Sequence, residues 1–174
     1  NREGERRNMS DKHPRDQDIK TEFAILVTSD TRDKSMDMTG KRAMELIREY
    51  GHQVVIYDLV PNDSEAINNW LNKFLVSEAQ VALTSGGTGL GDKDKTVSAA
   101  RKLFEKEISG FGEHFRRISY DQIGIPGLWS RSTAGVAQGK IIFCLPGSTG
   151  AMETALKEII LPGIGHIIWE LRRD

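Results

Sequence analysis

Two apolar rhythms alternate along the chain. Residues 23–29, "FAILVTS", form a continuous apolar run ending in polar residues, the pattern of a parallel strand buried on both faces. Ala43, Leu46, Ile47 and Tyr50 then recur at helical spacing, and Gly51 marks the helix end. Residues 52–60, "HQVVIYDLV", predict a second strand. Pro61, Asn62, Asp63 and Ser64 predict a turn into a helix cap, and Ile67, Trp70, Leu71 and Phe74 give the next helix its inner face. Residues 80–84, "QVALT", predict a third strand, and Thr96 is expected to cap a helix with Val97, Ala100, Phe104 and Ile108 turned inward.

The middle of the chain is less regular. Residues 110–124 read as a short helix, and residues 126–138, "PGLWSRSTAGVAQ", have no clear period. Residues 140–147, "KIIFCLPG", predict a strand that ends in a Pro-Gly turn. Ser148 or Thr149 caps a helix with Met152, Ala155, Leu156 and Ile159 inward; Ile164, Ile167, Ile168 and Leu171 predict a separate final helix. Strands alternating with helices of these lengths imply an α/β fold with three layers, α/β/α: a mostly parallel sheet with helices on both faces. Ligands in such folds bind beyond the C-terminal ends of the strands.

Composition narrows the class. The chain has 174 residues, the size of one domain. Net charge is −1, from 24 basic and 25 acidic residues, so no overall field attracts nucleic acid or an anionic membrane. His13, His52, His114 and His166 fit no zinc spacing. The single cysteine, Cys144, excludes an intrachain disulfide and sits in an apolar run, as a core thiol does. No apolar run approaches the ~20 residues of a membrane span, and a cytoplasmic location is expected. Residues 1–20 carry eleven charges and read as a tail before a domain over 21–174. Met9 is read as the initiator, and a neighbouring subunit is a candidate for what orders the tail.

Four predicted strands end in polar loops, and the third loop, "TSGGTGLGDKDKT" at 84–96, is the richest. Glycines allow an anion close to the backbone, and successive N–H groups supply partial positive charge. Asp92 stands where a Walker loop requires lysine, so the loop is not a Walker loop. A glycine-rich turn without ligand is the alternative. Asp92 and Asp94 beside bound phosphate call for a cation such as Mg²⁺; a helix-capping network is the other reading. Arg131 in "WSRST" can fork onto phosphate or carboxylate, or form an ordinary ion pair. Asp30, Asp33 and Asp37 in the first loop can position a metal or a ribose, or simply solvate the loop.

Taken together, "VTSDTRDKSMDMTG", "TSGGTGLGDKDKT" and the stretch from "EISGFGEHF" to "CLPGST" resemble the MoaB/Mog family of molybdenum-cofactor biosynthesis proteins over residues 20–174. The resemblance implies a molybdopterin-binding fold in a homo-trimer or homo-hexamer. It implies an adenylyltransferase, in which the terminal phosphate of molybdopterin attacks the α-phosphate of ATP with Mg²⁺, releasing pyrophosphate. The adenylate then passes to a molybdate- or tungstate-inserting partner. By position, Asp94 matches the family's catalytic aspartate and a metal ligand, while Ser85, Gly86, Gly87, Thr88 and Gly89 would hold phosphate. Ser130, Arg131, Ser132, Pro146, Gly147 and Ser148 would face the pterin, and Ser29, Asp30 and Asp33 the nucleotide. Asn62 stands where active members carry an aspartate; either Asp63, one residue later, is the catalytic substitute or the second carboxylate is absent. A MoaB-like binding or scaffold protein without catalysis is the second function the resemblance leaves open.

Overall fold

The computed structural model describes residues 19–173; residues 1–18 of the charged tail, with Met9 and His13, lie outside the described residues. Six strands form one sheet in the order β2-β1-β3-β6-β5-β4. The strands β1 (Glu22–Thr28), β2 (Gln53–Val60), β3 (Val81–Ser85) and β6 (Lys140–Leu145) run parallel. At one edge β5 (Thr133–Ala137) pairs antiparallel with β6, and β4 (Lys106–Glu107) pairs antiparallel with β5.

The central strands read as unbroken apolar runs because both of their faces are covered. Phe23, Ile25, Val27, Leu83 and Phe143 pack on one side, against α1 (Met38–Glu49), α4 (Ser109–Ile123) and α5 (Thr149–Ala155) with its continuation. Ala24, Leu26, Ala82, Ile142 and Cys144 pack on the other, against α2 (Ser64–Val76) and α3 (Thr96–Arg101). These are two cores on either side of one sheet, the expected three layers. Each fully buried large side chain here contributes about 1.5–3 kcal/mol.

The middle of the chain departs from its reading. The helix α3 has six residues, with Lys95 at its N-cap, so Thr96 is the first helical residue and caps nothing. Phe104 and Ile108 lie beyond its end. Phe104 lies over β5, where a Cβ on Gly135 would come within 2.4 Å of its ring. Residues 126–138 hold a 3₁₀ turn, Ile125–Leu128, and β5. A two-residue hairpin, Gln138 (φ 51°) and Gly139 (φ 71°), joins β5 to β6.

The last two predicted helices are one. A π turn, Leu156–Ile160, links α5 to α6 (Leu161–Arg172), with Leu161 N donating five residues back to Leu156 O. Pro162 follows at the start of α6. Its ring would press on the carbonyl four residues earlier in a regular helix, and a wider turn accommodates it. No helix among the described residues is long and apolar enough to cross a membrane.

Candidate functional site

The chain leaves β1 toward β2 on one side and enters β3 on the other. The strand order therefore reverses between β1 and β3, the place beyond the strand ends where open α/β sheets bind ligands. The loop after β6 borders it as well. Short polar contacts lock the three together. Thr28 Oγ1 donates to Ser85 O at 3.3 Å, Gly86 N to Leu145 O at 2.9 Å, and Ser85 Oγ to Pro146 O at 3.4 Å. Thr39, at the start of α1, bonds Thr149 Oγ1 at 3.0 Å and donates to Gly147 O at 3.4 Å.

The backbone of the third loop requires its glycines. Gly86 has φ 103°, and a Cβ there would lie 2.4 Å from Thr28 Oγ1. Gly87 has φ 70°, and a Cβ there would lie 2.2 Å from Thr96 Oγ1. Both conformations lie in the left-handed half of backbone space, where side chains are disfavoured. Thr96 itself is fully buried, and its hydroxyl has no hydrogen-bond partner among the described residues. An unsatisfied hydroxyl directly behind a glycine turn is the kind of group that a ligand or an ordered water satisfies.

Arg131 staples the same loop. Its Nε donates to Gly89 O at 2.9 Å, its Nη2 to Asp94 O at 2.8 Å, and its main-chain N to Thr88 O at 2.8 Å. Two nitrogens of the guanidinium are thus engaged by main-chain carbonyls of the glycine loop. Ser130 Oγ reaches Thr88 Oγ1 at 3.3 Å and Ser132 Oγ at 2.7 Å, so the serines face the glycine loop. Arg116 of α4 holds this segment from behind, donating to Ser132 O at 2.8 Å and Ser130 O at 3.3 Å. No sequence signal marked Arg116; its spacing to residues 130–132 exists only in three dimensions.

Asp94 closes the loop, accepting from Gly91 N at 3.0 Å. It also lines a polar cleft with Asp92. Among the described residues, no group of three or more His, Cys, Asp or Glu side chains is placed to hold a metal ion unaided. Mg²⁺ needs no such cage: one or two carboxylates and substrate phosphate oxygens commonly suffice. Asp94 and Asp92 bring two carboxylates to the wall of that cleft.

The remaining acids differ in their engagement. Asp63 is the N-cap of α2, accepting from Ala66 N at 2.9 Å. Asp33 is folded into its own turn, accepting from Ser35 N at 2.7 Å and Met36 N at 3.2 Å. Ser29 Oγ accepts from Arg32 N at 3.0 Å. Ser148 caps α5, accepting from Ala151 N at 3.2 Å. Asp30 spans loops: it accepts from Asn62 N at 2.8 Å and pairs with Lys93 at 3.4 Å. Its carboxyl is held below the usual carboxylate range, first by the Asn62 main-chain bond. An aspartate at position 62 would set a second carboxylate beside it. Asp37 is fully buried at the N-cap of α1, accepting from Gly40 N at 3.0 Å and from the Tyr57 hydroxyl. Burial, and then that bond, push Tyr57 well above its ordinary pKa.

Known proteins share this architecture. A family model described as a probable molybdopterin binding domain matches residues 24–166. Molybdenum cofactor biosynthesis protein B of Bacillus cereus is 42% identical over 152 residues, covering 86% of this chain and 90% of the relative. A crystal structure of a molybdenum cofactor biosynthesis protein B superposes with a TM-score of 0.86 at 40% identity, over 90% of this chain and 98% of that one. The tungsten cofactor synthesizing protein MoaB from Pyrococcus furiosus superposes with a TM-score of 0.80 at 35% identity, over 88% and 98%.

Proposed function

The chain belongs to the MoaB-type family of molybdopterin-binding proteins, and on that premise we propose that it adenylylates molybdopterin. In the reaction, an oxygen of the terminal molybdopterin phosphate forms a bond to the α-phosphorus of ATP. The bond from that phosphorus to the bridging oxygen breaks, and pyrophosphate leaves with the electron pair.

The observation that carries the reading is the glycine turn backed by the orphan Thr96 hydroxyl, with Asp94 closing the same loop. Gly87 and Thr88 offer main-chain N–H groups to phosphate, and Ser130 and Ser132 border them. Asp94, with Asp92 beside it, would hold Mg²⁺ against the nucleotide phosphates. Bound there, the ion would neutralise charge that builds on the phosphoryl oxygens. Arg131 and Arg116 fix the loop, so its donors need little rearrangement during the reaction. Asp30, tied to Asn62 and Lys93, would meet the nucleotide between the first three loops. The adenylate would pass to a molybdate- or tungstate-inserting protein, and the proposal includes a cytoplasmic site of action.

Incubation with molybdopterin, ATP and Mg²⁺, followed by assay for the adenylate and pyrophosphate, tests the reading. Asp94→Ala should bind molybdopterin without forming product. Wild-type protein that binds the pterin but makes no adenylate would favour the second reading, a binding or scaffold protein; Asn62 in place of the family's aspartate is the observation that favours it.

A homo-oligomer is part of the proposal. Tyr120, Ile123, Ile125 and Trp129 are exposed at the end of α4 and in the 3₁₀ turn after it. Exposed apolar side chains this close along the chain suit contact with a second copy. Light scattering should show a trimer or hexamer at micromolar concentration, and Ile123→Glu should weaken it.

A further inference from the structure

A cleft of about 250 Å³ opens between the start of α2 and the length of α3, beside the end of the glycine loop. Asp92 and Asp94 lie on its wall with Lys95 and Lys102, and Ser64 and Ser98 add hydroxyls. Among the described residues, the side chains of Asp92, Lys95 and Lys102 make no hydrogen bond or ion pair. Lys93 of the same loop, by contrast, is paired with Asp30. Charges of both signs thus face one small space without neutralising each other.

That combination selects its ligand. A bare polyphosphate would be repelled by the two carboxylates, and a bare divalent cation by the two ammonium groups. A complex of the two meets both: carboxylates prefer the metal, and lysines prefer phosphate oxygens. A purine ring fits poorly, because no aromatic side chain lines the wall and Ala99 is its one apolar residue. The volume also lies below the range of roughly 300–1,000 Å³ usual for larger organic ligands.

We propose that this cleft seats the β- and γ-phosphates of the nucleotide and then the departing magnesium pyrophosphate. The proposal rests on the adenylyltransferase reading. Asp94 belongs to both spaces, closing the glycine loop through Gly91 N and lining the cleft. A phosphate chain leaving the glycine turn therefore enters the cleft beside it. When the bond between the α-phosphorus and the bridging oxygen breaks, negative charge collects on the pyrophosphate. Lys95 and Lys102 stand where that charge develops, which stabilises the leaving group.

The test is a calorimetric titration of inorganic pyrophosphate in Mg²⁺ buffer, which reads binding without turnover. Wild-type protein should bind it, and excess EDTA should abolish the binding. Lys95→Ala and Lys102→Ala should each weaken it about tenfold while molybdopterin affinity is unchanged. Lys102 is exposed and Lys95 half-buried, and circular dichroism should show that both variants fold. A double lysine variant that binds magnesium pyrophosphate like wild type overturns the site, as does a wild type that fails to bind it, whether or not adenylate forms. Lysine-dependent binding without any adenylate product upholds the site and overturns the adenylyltransferase reading instead.

Discussion

Arg131 donates through Nη2 to the main-chain carbonyl of Asp94 at 2.8 Å, and through Nε to that of Gly89 at 2.9 Å. The proposed catalytic acid is therefore held by its backbone, from a residue 37 positions later in the chain. Arg131→Ala should destabilise the protein by about 2 kcal/mol in urea titration, because two carbonyls lose a charged donor. Arg131→Lys should recover less than half, since an ammonium cannot reach both carbonyls with a planar fork.

Gly87→Ala should be costly and Gly150→Ala harmless. The first places a Cβ at φ 70° and 2.2 Å from Thr96 Oγ1; the second meets nothing within 4 Å. Thermal denaturation should show a loss of about 1–3 kcal/mol or more for Gly87→Ala. Gly150→Ala should be neutral or stabilising by roughly 0.4–1 kcal/mol.

Thr96→Val separates stability from binding. The hydroxyl is buried and unpartnered, so its removal should leave stability unchanged or raise it by about 1 kcal/mol. Phosphate-bearing ligands should bind more weakly to the same variant. A loss of stability instead would mean that an ordered water already satisfies the group in the free protein.

Glu153 links α5 to α1 through Arg42 at 2.9 Å and to Lys157 one turn on. The Arg42 bond, then the Lys157 bond, lower its pKa from 4.5 to about 2. A carboxylate depressed in the folded state contributes stability above its unfolded pKa. That contribution is lost as pH falls from about 4.5 through about 2. Glu153→Gln should flatten the pH dependence of stability in that window, and carbon NMR titration of Glu153 should give the low midpoint directly.

Cys144 is fully buried, and burial pushes its thiol pKa up to about 11. It should resist iodoacetamide at pH 8 in the native protein and react fully in denaturant, as mass spectrometry can read.

The missed elements have identifiable causes. The Gln138-Gly139 hairpin was visible only as a weaker form of the Asn-Gly signal, and β5 before it, "TAGVA", is too small-sided to announce a strand. Gly135 is small because Phe104 lies over it, a pairing across 31 positions that no local period encodes. The junction of α5 and α6 read as a break because Pro162 normally ends a helix; a π turn absorbed it instead.

The sequence by itself determined the alternation of strand and helix, the three layers and the four polar loops at the strand ends, because burial on both faces writes continuous apolar runs. It also marked the glycine turn and Asp94. Only the tertiary structure decided what each polar group in those loops does. Arg131 and Arg116 hold carbonyls, Asp63 caps a helix, Asp30 bridges to Asn62, and Asp92 shares a cleft with two lysines. Hydrogen-bond partners are set by distances between segments far apart in sequence, and those distances exist only once the sheet has brought the loops together.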